Sequence, residues 1–140
     1  MSKVAVVFWS GTGNTAAMAD AVAEGARTKG AEVTVMGPSE FSAARVGEFD
    51  AIAFGCPSMG AEVLEETEFE PMFSEVEGSL VGKKIGLFGS WGWGGGVWMN
   101  DWEDRCKKKG ARLAADPVTC QDAPDDAAKQ ACRDLGGALA

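Results

Sequence analysis

Val4-Ala5-Val6-Val7-Phe8-Trp9 runs straight into Ser10-Gly11-Thr12-Gly13-Asn14-Thr15, and the reading of this join decides the fold. The first six residues are apolar, with no polar residue at alternate positions. That is the signature of a strand buried on both faces, as in a parallel sheet. The stretch from Ala16 to Lys29 carries Met18, Val22 and Ala26 four apart, so it reads as a helix with one apolar face. A strand, a glycine loop and a helix start together form an anion pocket. The helix end offers unpaired N–H groups and the positive end of its dipole. Gly11 and Gly13 let the backbone come close to a ligand. Ser10, Thr12 and Thr15 add hydroxyls and Asn14 an amide, and the loop holds no Lys or Arg. Its natural guest is a phosphate held by neutral donors.

The rest of the chain repeats the alternation. Lys3–Trp9 is predicted as strand one, Thr15–Lys29 as helix one closed by Gly30, and Ala31–Met36 as strand two. Phe41–Val46 is predicted as a short helical piece, and Asp50–Gly55 as strand three. Cys56–Glu66 shows no period and is predicted as a loop. Thr67–Val76 is predicted as a short acidic helix with Pro71 inside it. Lys84–Gly89 is predicted as strand four, Ser90–Gly96 as a Gly/Trp loop, and Val97–Lys109 as a helix ended by Gly110. A last strand, Ala111–Ala115 with Val118–Cys120, is broken by Pro117. Asp125–Leu135 is predicted as the closing helix. Five strands alternating with helices imply a doubly wound α/β fold. Its parallel sheet has helices on both faces and, at this size, the order 2-1-3-4-5. In that sheet ligands bind beyond the C-terminal strand ends, where strands one and three diverge. Three unusual loops converge there: Ser10–Thr15, Cys56–Glu62 and Ser90–Gly96.

Composition narrows the function. The 140 residues are predicted to fold as a single domain, 1–140. A net charge of −8 argues against nucleic acid and against anionic membrane surfaces, and it suits basic partners. No apolar run approaches a membrane span, and the N-terminus does not read as a signal peptide. The cysteines, at 56, 106, 120 and 132, form no C-x-x-C pair, and scattered thiols fit a reducing cytoplasm. There is no His, which removes imidazole metal ligands and His-based hydrolysis.

The second loop, Gly55-Cys56-Pro57-Ser58-Met59-Gly60-Ala61-Glu62, sets a soft apolar side chain beside a backbone that can approach or rotate. The third, Ser90-Trp91-Gly92-Trp93-Gly94-Gly95-Gly96, holds an aromatic on glycines. It reads as a stacking platform for a planar ligand, with Trp98 assigned to the core. Gly11–Ala16 also fits a loose dinucleotide pattern. The acidic residue that would hold a ribose is missing near the end of strand two, which reads Met36-Gly37-Pro38. A signalling receiver module would need acids at the ends of strands one and three, where Trp9-Ser10 and Cys56 stand.

Taken together, Trp9–Thr15, Pro57–Glu62 and Ser90–Gly94 resemble the short-chain flavodoxins, and the resemblance covers the whole chain. It implies a non-covalent FMN and a low-potential one-electron carrier, not an enzyme. The alternative is an FMN-dependent quinone or NAD(P)H oxidoreductase of similar fold. No insertion for a second substrate pocket and no His or Tyr to serve one is visible. On this resemblance Ser10, Gly11, Thr12, Gly13, Asn14 and Thr15 hold the phosphate. Ser58 stands beside Pro57, where the family often has a hydroxyl. Met59 covers one face of the ring and Trp93 the other. Glu62 accepts the ring N3–H. The backbone of Ser90, Trp91, Gly92, Trp93 and Gly94 reaches the pyrimidine edge. The Gly60–Ala61 peptide rotates on reduction. Ala61 and Gly95 depart from the family's usual residues and are expected to alter potentials, not to abolish binding. Glu62, Glu65, Glu66, Glu68 and Glu70 would make the reduced cofactor a strong reductant and present an acidic face. The expected partners are redox proteins with basic docking faces, met by a cytoplasmic monomer.

Overall fold

The computed structural model describes residues 2–59, 63–92 and 96–140. Strand β1 spans Lys3–Phe8, helix α1 Asn14–Thr28, β2 Glu32–Met36 and β3 Ala51–Gly55. Then follow α2 (Phe69–Val76), β4 (Lys84–Trp91), α3 (Val97–Lys108), β5 (Arg112–Leu113), β6 (Val118–Gln121) and α4 (Asp126–Leu139). All strand pairs are parallel, in the order β2-β1-β3-β4-β5, with β6 also on β4. The predicted 2-1-3-4-5 sheet is therefore present, with its fifth position shared by two short strands on either side of Pro117.

Val4, Ala5, Val6 and Val7 are fully buried because β1 is covered on both faces. Ala5 and Val7 point into a core with α2 and α3, where Phe54, Phe69, Phe73 and Trp102 meet edge-on or stacked. Val4 and Val6 point into the opposite core with Met18, Val22 and Ala26 of α1 and with Cys132 and Leu135 of α4. Each Val, Leu, Phe or Met among them contributes roughly 1.5–3 kcal/mol by burial.

Four local expectations change. The short helical piece expected at Phe41–Val46 is a 3-10 helix shifted to Ala43–Glu48, preceded by a 3-10 turn at Pro38–Glu40. The acidic helix starts at Phe69, which leaves Pro71 in the first turn, where a missing N–H costs nothing. Strand β4 extends two residues past Gly89, because Ser90 and Trp91 pair with Cys120 and Gln121 of β6. Helix α4 starts behind Asp125, whose side chain caps Ala128 N at 2.8 Å, and it continues through Gly136-Gly137 to Leu139. The reason is packing: a Cβ on Gly136 would lie 1.9 Å from Val22 O, and one on Gly25 would lie 1.9 Å from Arg133 O. The two glycines let α1 and α4 touch backbone to backbone.

Candidate cofactor site

The C-terminal ends of β1, β3, β4 and β6 open onto one cavity of about 220 Å³. Its walls come from four segments: Trp9–Thr12 with Asn14 and Thr15, then Pro57–Met59, then Ser90–Gly92, and finally Asp122. The described parts of the three predicted loops meet there.

The first wall is folded by Ser10. Its Oγ accepts hydrogen bonds from Gly13 N and Ala16 N, both at 3.2 Å. With both lone pairs engaged, the hydroxyl proton is free to donate outward. Gly13 sits at φ 94° at the helix start, a conformation that needs glycine, and it turns the loop without lining the cavity. Gly11 lies on the Trp9 indole, and a Cβ there would meet the ring at 3.0 Å. The start of α1 adds amides that have no intrahelical partner. Thr15 is 1 % exposed, and among the described residues its Oγ1 has no hydrogen-bond partner although Thr15 lines the cavity. A buried hydroxyl without a partner is rare and costly. In a cavity wall it leaves a donor free for a polar guest.

The second wall is fixed to the third. Ser58 N donates to Ser90 O at 3.0 Å, and Met59 and Val63 exchange bonds of 2.9 and 3.1 Å. Gly60, Ala61 and Glu62, on which the resemblance places the rotating peptide and the N3–H acceptor, lie outside the described residues. Behind this wall Glu65 is buried and caps the start of α2. Burial works against its charge. The Thr67 hydroxyl and the N–H groups of Phe69, Thr67 and Glu68 outweigh it and lower the carboxyl to about 2. Glu65 N in turn donates to Cys56 Sγ at 3.3 Å. Burial pushes the Cys56 thiol up to about 12, so it serves as a neutral acceptor.

The third wall is strand, not loop, as far as Trp91. Ser90 is 5 % exposed, and its Oγ donates to Asp122 O at 2.6 Å. Its carbonyl is engaged by Ser58, so Ser90 locks three walls together. Trp98 is 2 % exposed with Nε1 donating to Cys56 O at 3.3 Å, in the core as predicted. Trp93 and Gly94, the expected platform, lie outside the described residues.

The acidic cluster is less uniform than its sequence implies. Glu65 is consumed as a cap, and Glu70 is gripped by Arg105 through two contacts of 2.7 Å. That guanidinium lowers the Glu70 carboxyl and also pairs with Glu77. Glu66 and Glu68 are left on the exposed face. Trp9, Pro57 and Asp122 line the cavity without having been among the predicted binding residues, and Asp122 lies far from the three loops in sequence. The one available signal for Asp122 was its place after the last strand, at the sheet end where ligands bind.

These features fit FMN: neutral donors and an orphan hydroxyl at one end, a methionine and a Trp/Gly segment at the other. The flavodoxin family model matches residues 6–136. A flavodoxin of Clostridium beijerinckii is 42 % identical over 135 residues, covering 96 % of this chain and 97 % of the relative. One of Megasphaera elsdenii is 41 % identical, with 98 % of each chain covered. The solution structure of two-electron reduced M. elsdenii flavodoxin superposes with a TM-score of 0.89 at 40 % identity over 97 % of both chains. A chain matched over nearly its whole length by sequence, and again by fold, belongs to the flavodoxin family and is an FMN-binding electron carrier.

Proposed function

We propose that the FMN phosphate is held by Ser10, Gly11, Thr12, Gly13, Asn14 and Thr15, with Ser58 alongside. The ring then lies between Met59 and Trp93, Glu62 takes N3–H, and the backbone from Ser90 to Gly94 follows the pyrimidine edge. The observation that carries this reading is the unpartnered Oγ1 of Thr15 in the cavity wall. A phosphate oxygen supplies the acceptor that the apoprotein lacks. Outward donation by Ser10 and the first amides of α1 complete a neutral cradle. When bound, FMN supplies one-electron redox chemistry. The chain's part is to bind and orient it, to cover the ring with apolar side chains, and to set the local charge.

The partners we infer are redox proteins with basic docking faces, met by a monomer in the cytoplasm. Charge distribution supports this. Seven of the thirteen Lys and Arg lie between Lys83 and Arg112. Lys84 and Arg112 open β4 and β5, at the sheet end away from the cavity. Glu66, Glu68 and Asp122 lie at the cavity end. Such a dipole steers the cavity end toward a cation-rich face. Stopped-flow transfer to a basic redox protein tests it. The rate is expected to fall steeply as salt rises, and a flat response contradicts the docking face. Among the described residues no helix is long and apolar enough to cross a membrane, and no group of His, Cys, Asp and Glu is placed to hold a metal.

A further inference from the structure

Asp122 closes the fourth wall of the cavity. Among the described residues it is the only one besides glycine with a positive φ, 57°. Asp and Asn tolerate this left-handed region better than other side chains, but they do not need it for a plain turn. Here the conformation is enforced from several sides. Asp122 N donates to Trp91 O at 2.8 Å. Its carbonyl accepts from Ser90 Oγ at 2.6 Å, and the Cys120 thiol stands 3.6 Å from the same oxygen. One residue earlier, Gln121 Nε2 donates to Gly92 O at 3.4 Å. The backbone is thus pinned to the end of β4, and the side chain is thrown toward Gly92. A Cβ on Gly92 would lie 3.8 Å from Asp122 Oδ1. Among the described residues the carboxylate receives no hydrogen bond and pairs with no cation. That sets it apart from Glu65 and Glu70, whose charges are met by donors and by Arg105.

We propose that Asp122 is a potential-setting residue of the FMN site: a carboxylate pinned over Gly92 whose uncompensated charge weakens binding of reduced FMN relative to oxidised FMN. This rests on the FMN site described above. Reduction adds negative charge to the occupant of the cavity, and a fixed negative charge in its wall resists that addition. The residue is exposed, so water screens it and the effect is modest. A change of about two- to fivefold in the ratio of the two affinities is expected. At about 59 mV per tenfold for one electron, this corresponds to roughly 20–40 mV. The strained backbone serves the same end. Without the ties to Ser90 and Trp91 the side chain could turn to solvent, and its field at the cofactor would fade.

Two variants test the assignment. Asp122→Asn removes the charge and keeps the shape and the tolerance of positive φ. Asp122→Gly removes the charge and relieves the backbone. For each, the affinity of the apoprotein for oxidised FMN, its urea midpoint and the potentials of the holoprotein are measured at low and at high salt. Both variants are expected to hold oxidised FMN at least as tightly as the parent. Both are expected to show a raised potential, with the rise shrinking as salt is added. The Gly variant keeps or gains stability. Unchanged or lowered potentials in both variants overturn the proposal. So does a rise that ignores salt, which marks a change of shape. Loss of FMN affinity in Asp122→Asn also overturns it, because the carboxylate is then a ligand of the cofactor. If the parent apoprotein itself takes up no FMN, the site reading fails, an outcome distinct from all of these.

Discussion

Replacing Thr15 by Val separates what the cradle costs from what it does. The two side chains have the same shape, and their helix propensities are nearly equal, so the start of α1 is undisturbed. What changes is one hydroxyl, in a residue 1 % exposed, with no partner among the described residues. An unsatisfied buried polar group costs about 1–3 kcal/mol, so its removal is expected to stabilise the apoprotein by about 1 kcal/mol. For a chain of this length that raises the melting temperature by roughly 2–5 °C. The effect on FMN has the opposite sign. A hydrogen bond to a charged phosphate is worth about 1.5–3 kcal/mol, so FMN is expected to bind about 10- to 150-fold more weakly. Riboflavin, which lacks the phosphate, is expected to bind as before. Urea unfolding of the apoprotein and calorimetric titration with the two flavins give all three numbers. A less stable apoprotein, or equal losses for FMN and riboflavin, refutes the reasoning.

Five further substitutions have defined expected outcomes. Trp98→Ala is expected to cost about 3–5 kcal/mol of stability in urea unfolding, because it empties a core site and strips a donor from Cys56 O. On its proposed stacking role, Trp93→Ala is expected to weaken FMN binding by roughly 1–3 kcal/mol, read by flavin fluorescence. Glu65 has its carboxyl lowered from 4.5 to about 2, so its contribution is full above pH 4.5 and is lost as pH falls through 2. Glu65→Gln is expected to flatten this part of the acid-unfolding curve. Gly89→Ala is expected to destabilise by about 1–3 kcal/mol, since its Cβ would lie 2.1 Å from Cys56 O. Gly47→Ala, with nothing within 4 Å, is expected to stay within about 0.5 kcal/mol in the same unfolding assay.

What could be read from the sequence was whatever has a local cause. Val4–Val7 must be buried on both faces, so β1 and the parallel sheet were legible, and so was the hydroxyl-rich turn behind them. The expectations that shifted depend on residues far apart in the chain. Ser90 and Trp91 look like a glycine-flanked loop, and only Cys120 and Gln121 make them strand. Gly136-Gly137 should stop a helix by propensity, yet contact with Val22 demands the glycine. The run Glu65–Glu70 reads as one acidic face, but Glu65 is turned inward by main-chain donors and Glu70 is neutralised by Arg105, 35 residues away. Asp122 stayed hidden because Pro117 broke the strand that delivers it. Its left-handed backbone is set by Ser90 and Trp91, not by its own neighbours in sequence.

A crystal structure of the holoprotein decides where FMN sits. A phosphate oxygen is expected within hydrogen-bonding distance of Thr15 Oγ1 and Ser10 Oγ, and the ring between Met59 and Trp93. A phosphate bound elsewhere, or Thr15 Oγ1 still without a partner in the holoprotein, would contradict this placement.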